Sequence, residues 1–180
     1  MLETIKNAWS VVEIRKKILF TLFIILIFRI GSVLPVPFVD LASLQAAETN
    51  DFFNYLSVLT GGGLQYVAIF AMSVTPYINA SIILQLLTVA IPYLERLSKE
   101  GEEGRKQIAK ITRYVTIALG FLQSTAYFIY LNAKDYVLYQ GTSKAIEVFQ
   151  ALVIIFVLSA GTALVMWLGE QINDKGIGNG

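Results

Sequence analysis

FAMSVTPYINASIILQLL, residues 70–87, lies inside an uncharged run from Val67 to Ile91 that is long enough to cross a bilayer as a helix. It also carries Ser73, Thr75, Asn79, Ser81 and Gln85, and Pro76 interrupts it. Each polar group in hydrocarbon needs a partner, so a helix facing only lipid gains little from such residues. The segment reads as a membrane helix that packs on other helices or lines something wetter than lipid.

Composition agrees with that class. The chain of 180 residues is 56% hydrophobic and 15% charged, with a mean hydropathy of +0.63, which is too apolar for an ordinary soluble domain. A net charge of +1 gives no basic face for nucleic acid. The chain has neither cysteine nor histidine, so thiolate chemistry and the commonest general base and metal ligand are both missing. The expectation is a protein that is not an enzyme, with no catalytic residues, metal or cofactor.

Four long apolar runs imply four spans of an all-α, polytopic membrane protein: 18–34, 67–91, 114–131 and 148–168. Around them lie a tail (1–17), an external segment (35–66), a loop (92–113), a second external loop (132–147) and a final tail (169–180), all one membrane domain. Cations set the orientation. Lys6, Arg15, Lys16 and Lys17 sit in the first tail, and Arg96, Lys99, Arg105, Lys106, Lys110 and Arg113 in the 92–113 loop, whereas 35–66 has no Lys or Arg. Both termini and that loop are therefore expected in the cytoplasm. A signal peptide is the competing reading of the first run. It is disfavoured because the run exceeds a usual apolar region and no A-x-A-like cleavage site follows.

Within 35–66, Phe52, Phe53, Leu56 and Leu59 recur at helical spacing, followed by Gly61, Gly62 and Gly63. The physics alone favours an interfacial amphipathic helix over a re-entrant half-helix beside a cavity. On the second span, turning about 100° per residue places Val74, Ile78, Ser81 and Gln85 in one narrow arc. Thr75, Asn79, Ile82 and Leu86 form the adjacent stripe. Ordinary helix packing accounts for the small residues and accounts less well for Asn79 and Gln85. Gly-rich stretches at 101–104 and 176–180 lack the spacing of phosphate or dinucleotide loops. Glu170 and Asp174 alone make a poor metal site.

MWLGEQINDKGIGNG (166–180), EGEEGRKQIAKITRY (100–114) and FAMSVTPYINASIILQLL together resemble the SecY family, central subunits of the bacterial Sec protein-conducting channel. RKKILFTLFIILIFRIGSVLPVPFVD (15–40) is similar to that family's first span and outer turn. The resemblance covers nearly all of this chain and the first four of ten family spans, an N-terminal half-bundle. It implies a pore ring that includes Val74 and Ile78, and a plug helix at 52–62 with Phe52, Phe53, Leu56, Leu59, Gly61 and Gly62. It also implies a lateral gate containing Thr75, Asn79, Ile82 and Gln123. Ser73 and Phe38 stand where the family commonly has glycine, and Val74 where isoleucine is usual.

The implied partners are SecE and SecG, signal sequences, nascent polypeptides, YidC and membrane lipids, with SecA and the ribosome docking mainly through the other half. The implied location is the bacterial cytoplasmic membrane. Four helices cannot encircle such a pore, so this chain is not expected to conduct alone. The alternatives are an insertion or assembly intermediate, and a small four-helix transporter with a midplane site. The transporter is disfavoured because Arg29 is the one intramembrane ionisable candidate.

Overall fold

Pro76 and Pro92 set the architecture around the second apolar run. The computed structural model describes residues 11–43, 58, 66–138 and 143–178. Among these, five helices of at least eight residues follow in order: α1 (Val12–Gly31), α2 (Thr75–Ala90), α3 (Pro92–Lys99), α4 (Glu102–Ala133) and α5 (Lys144–Lys175). The only extended pairings among the described residues are isolated bridges, Pro35 with Ala68 and Val39 with Val137. The fold class is all-α. The plug positions Phe52, Phe53, Leu56, Leu59, Gly61 and Gly62 lie outside the described residues.

The second run corrects the expectation of one helix over 67–91. Residues 66–74 form turns, with Val67 (φ 42) and Ser73 (φ 50) in the left-handed region, and the helix begins only at Thr75. Pro76 occupies its first turn. There the missing N–H is one of the helix's unpaired donors anyway and the fixed φ suits the helix, so Pro76 starts α2 rather than kinking it. At the other end Ile91 is extended (φ −107, ψ 115), as expected of a residue before proline. Pro92 then opens α3, and the chain turns through 100° between the two helices.

The 92–113 segment is likewise helical rather than an open loop tip. α3 buries Leu94 and Leu97 against Leu84 and Leu87 of α2 and Ile108, Ile111 and Val115 of α4. Gly101 at φ 76 reverses the chain into α4, a conformation that glycine adopts without a Cβ penalty. α4 and α5 each run 32 residues, roughly 48 Å, against a hydrocarbon core of about 30 Å.

Among the described residues α4 and α5 are each long and apolar enough to cross a membrane, and counting the bent pair α2–α3 as one span makes three. α1 is 20 residues long, but its uncharged stretch between Lys17 and Arg29 is only eleven residues. The fourth span thus remains an inference from the sequence.

α4 and α5 pack most extensively. Thr112, Thr116, Gly120 and Ser124 are buried at four-residue intervals on α4, and Gly120 lies against the buried Thr162 of α5. Small residues let the two backbones approach, which matters in lipid because apolar tails give no hydrophobic drive for helix pairing. The threonine hydroxyls donate within their own helices, Thr116 Oγ1 to Thr112 O at 2.7 Å and Thr162 Oγ1 to Leu158 O at 3.2 Å. Thr112 Oγ1 donates likewise to Ile108 O at 2.9 Å, whereas Ser124 Oγ is buried without a hydrogen-bond partner among the described residues.

The segment 66–74 is built into the core rather than looped over it. Val67, Ala68, Phe70 and Ala71 are buried. Its backbone bonds to the end of α1 and the chain beyond: Val36 N–H to Val67 O and Ile69 N–H to Leu34 O, both 2.9 Å. Phe70 stacks on Phe28 with ring centroids 5.8 Å apart. Val67 and Ala71 join Val36, Val39, Leu131, Val137, Ile154 and Leu158 in one cluster, and Phe70 joins Ile24, Val165 and Leu168 in another. This packing fixes the point where α2 starts.

Candidate functional site: the exposed face of α2

α2 buries one side only. Pro76, Ala80 and Leu84 are buried, spaced by four, while Thr75, Asn79, Gln85 and Leu86 are exposed. Val74 is 41% exposed, Ile78 49% and Ile82 50%. Every residue assigned by resemblance to the pore ring or to the α2 part of the gate therefore lies on the exposed face of α2.

Val74 and Ile78 open onto a groove of about 360 Å³ between α2 and α5. Tyr77 and Ser81 complete the α2 wall, and Val165, Met166, Gly169, Glu170 and Asn173 form the α5 wall. Of the arc read from the sequence, Val74, Ile78 and Ser81 come together here, and Gln85 does not line the groove. Thr75, Asn79 and Ile82 lie on the exposed strip beside it. Gln123 is half-buried on α4, and no side-chain hydrogen bond among the described residues joins it to Asn79.

The α5 wall was not foreseen. Its residues Met166, Gly169, Glu170 and Asn173 recur at i, i+3, i+4 and i+7, the spacing of one helix face, and that is the signal by which they could have been found. Glu170 carries the wall's charge. Its Oε1 accepts from Arg113 Nε of α4 at 2.6 Å, with Glu170 23% and Arg113 51% exposed.

Two left-handed turns lie outside the groove itself. Ser73, immediately before Val74, adopts φ 50, and Phe38 adopts φ 67. Both are left-handed positions that favour glycine. Asp40 accepts from the Ser43 hydroxyl and from the Ala42 and Ser43 N–H groups. These bonds, that of the Ser43 hydroxyl first, hold its carboxyl below the ordinary value.

A family model, SecY, matches residues 68–180. The protein translocase subunit SecY of Streptomyces coelicolor is 42% identical over 191 residues, covering 100% of this chain and 43% of that protein. Its counterpart in Bacillus subtilis is 44% identical over 182 residues, covering 100% of this chain and 41% of that protein. The Mycobacterium bovis protein of the same name is 42% identical over 191 residues, with 100% and 43% covered. The chain thus spans less than half the length of these relatives.

Proposed function

The chain belongs to the SecY family, and from that premise we propose that it forms one wall of a protein-conducting channel in the bacterial cytoplasmic membrane. The observation that carries this reading is the exposed face of α2, where Val74 and Ile78 are about half exposed and open onto the groove beside α5. An apolar helix face is costly in water and unremarkable in lipid, but this one also presents Thr75, Asn79 and Gln85. Such a mixed face suits a surface met by a complementary half of the channel and by passing polypeptide.

The mechanism is conduction with gating rather than chemistry. Aliphatic side chains at Val74 and Ile78 bind no ion tightly, let diverse side chains slip past, and exclude water when nothing occupies the pore. Asn79 and Gln123, with Thr75 and Ile82, would line a lateral gate where a signal helix leaves toward lipid. Residues 52–62 would supply the plug. α1 would be the first span, and both termini and the α3–α4 turn would lie in the cytoplasm, following the cations.

The remaining half of the channel, SecE and SecG complete the conduit. SecA or the ribosome supplies the drive, and YidC receives some membrane proteins. Alone, this chain would be an assembly intermediate. In a complete channel containing it, Val74→Gly or Ile78→Gly is expected to raise resting ion leak and relax signal-sequence stringency. Unchanged leak and stringency in both variants would remove these residues from the seal.

A further inference from the structure

Three ion pairs are formed among the described residues. Glu95–Lys99 and Glu102–Lys106 are i, i+4 pairs on single, solvated helices, of the kind that contributes little. Arg113–Glu170 differs in geometry and place. It joins α4 to α5, and one partner lines the groove that Val74 and Ile78 face. Val165, Met166 and Gly169 make the rest of that wall mostly apolar, with Asn173 beyond, so Glu170 is its single ionisable group.

A lone carboxylate on a largely apolar wall would dominate the local potential and draw in cations. Arg113 approaches from α4 and is not among the lining residues. It therefore offsets the charge without itself lining the groove.

We propose that Arg113–Glu170 is the charge-setting pair of the groove. Glu170 determines what charge the wall presents, and Arg113 is a positioning residue that keeps the carboxylate turned toward α4 and the wall neutral. Uncoupling the pair gives the groove a sign: negative without Arg113, positive without Glu170. The meaning of this for transport rests on the channel reading above, but the electrostatic assignment itself does not.

The chain lacks cysteine, so Ser81→Cys, on the opposite wall, places a single thiol in the groove. Its modification by cationic and anionic methanethiosulfonates of equal size is measured on the full chain in detergent and in vesicles. Adding Arg113→Gln is expected to raise the cationic-to-anionic rate ratio about fivefold at low salt, and adding Glu170→Gln to lower it by a similar factor. Both shifts should shrink at high salt, and the double Gln variant should return the ratio to that of the parent. A purely structural bridge would change both reagent rates together and leave the ratio alone. If Arg113→Gln does not fold, Glu170→Gln still gives the test, because the neutral amide can accept from Arg113. A ratio that either folded variant leaves unchanged, or that both move in the same direction, overturns the assignment. Failure here leaves the channel reading standing, and a leak-free Ile78→Gly channel leaves this one standing.

Discussion

Gly161 of α5 sits where the backbone of the turn segment 66–74 presses closest, and Gly161→Ala tests whether that segment is clamped. An alanine Cβ there would lie 1.9 Å from the carbonyl oxygen and 2.9 Å from the carbonyl carbon of Ile69. Real contacts of this kind essentially never fall below 3.0 Å, so segment and helix must part by more than about 1 Å. The segment has little room to yield. Val67, Ala68 and Ala71 are fully buried, and Ile69 N–H is held by Leu34 O at 2.9 Å.

Overpacking of this kind costs about 1–3 kcal/mol, and a hydrogen bond lost as the segment shifts adds about 1 kcal/mol. Helix propensity works the other way, favouring alanine over glycine by about 1 kcal/mol. The net expectation is a loss of about 1–3 kcal/mol, read as a lower midpoint in thermal or mixed-micelle denaturation followed by circular dichroism. Gly120→Ala should be milder, since its Cβ would meet the Thr162 methyl at 3.0 Å, a side-chain atom that can give. A Gly161→Ala protein as stable as its parent, or more so, would mean that propensity wins and the clamp on 66–74 is absent.

Ser73→Gly is expected to stabilise the chain by about 1 kcal/mol, because φ 50 carries a Cβ penalty that glycine escapes. An unchanged or lower denaturation midpoint would contradict that backbone geometry. Asp40 contributes to pH dependence with a definite sign. Its folded pKa lies below the ordinary 3.8, so its stabilisation is complete above the unfolded value and is lost as pH falls through the folded one. Asp40→Asn should accordingly flatten the loss of stability below about pH 4, a comparison that denaturation at pH 6 and pH 3 makes directly.

The apolar runs 114–131 and 148–168 located α4 and α5 but underestimated both, since hydropathy marks the part of a helix that suits lipid and not the helix itself. Glu102–Arg113 continues α4 through solvated turns such as the Glu102–Lys106 pair. At 67–74 the uncharged stretch predicts helix where the structure has a buried turn. Val67, Phe70 and Ala71 are apolar because they are buried in a turn, and a buried turn and a lipid-facing helix look alike to a hydropathy profile. The position of Pro76 already favoured a helix start there, and Pro92 marked the other end.

On the candidate site, the arc through Val74, Ile78 and Ser81 followed from helix geometry alone. The α5 wall did not, because which two helices border a groove depends on packing between residues some 90 positions apart. Phe38 and Ser73, noted only as replacements of a usual glycine, turn out to occupy left-handed backbone. That is a physical reason for glycine at both places.

The central claim is that the α2 face bearing Ile78 meets the passing polypeptide. Its most direct measurement is photo-cross-linking from position 78 to a secretory polypeptide stalled in a complete channel that contains this chain. Ile83 serves as the control, being 42% exposed but roughly 140° around the helix. The account predicts adducts from 78, and from 74, with little or none from 83. Equal labelling at 78 and 83, or none at 78 while polypeptide is demonstrably held in the channel, would contradict it.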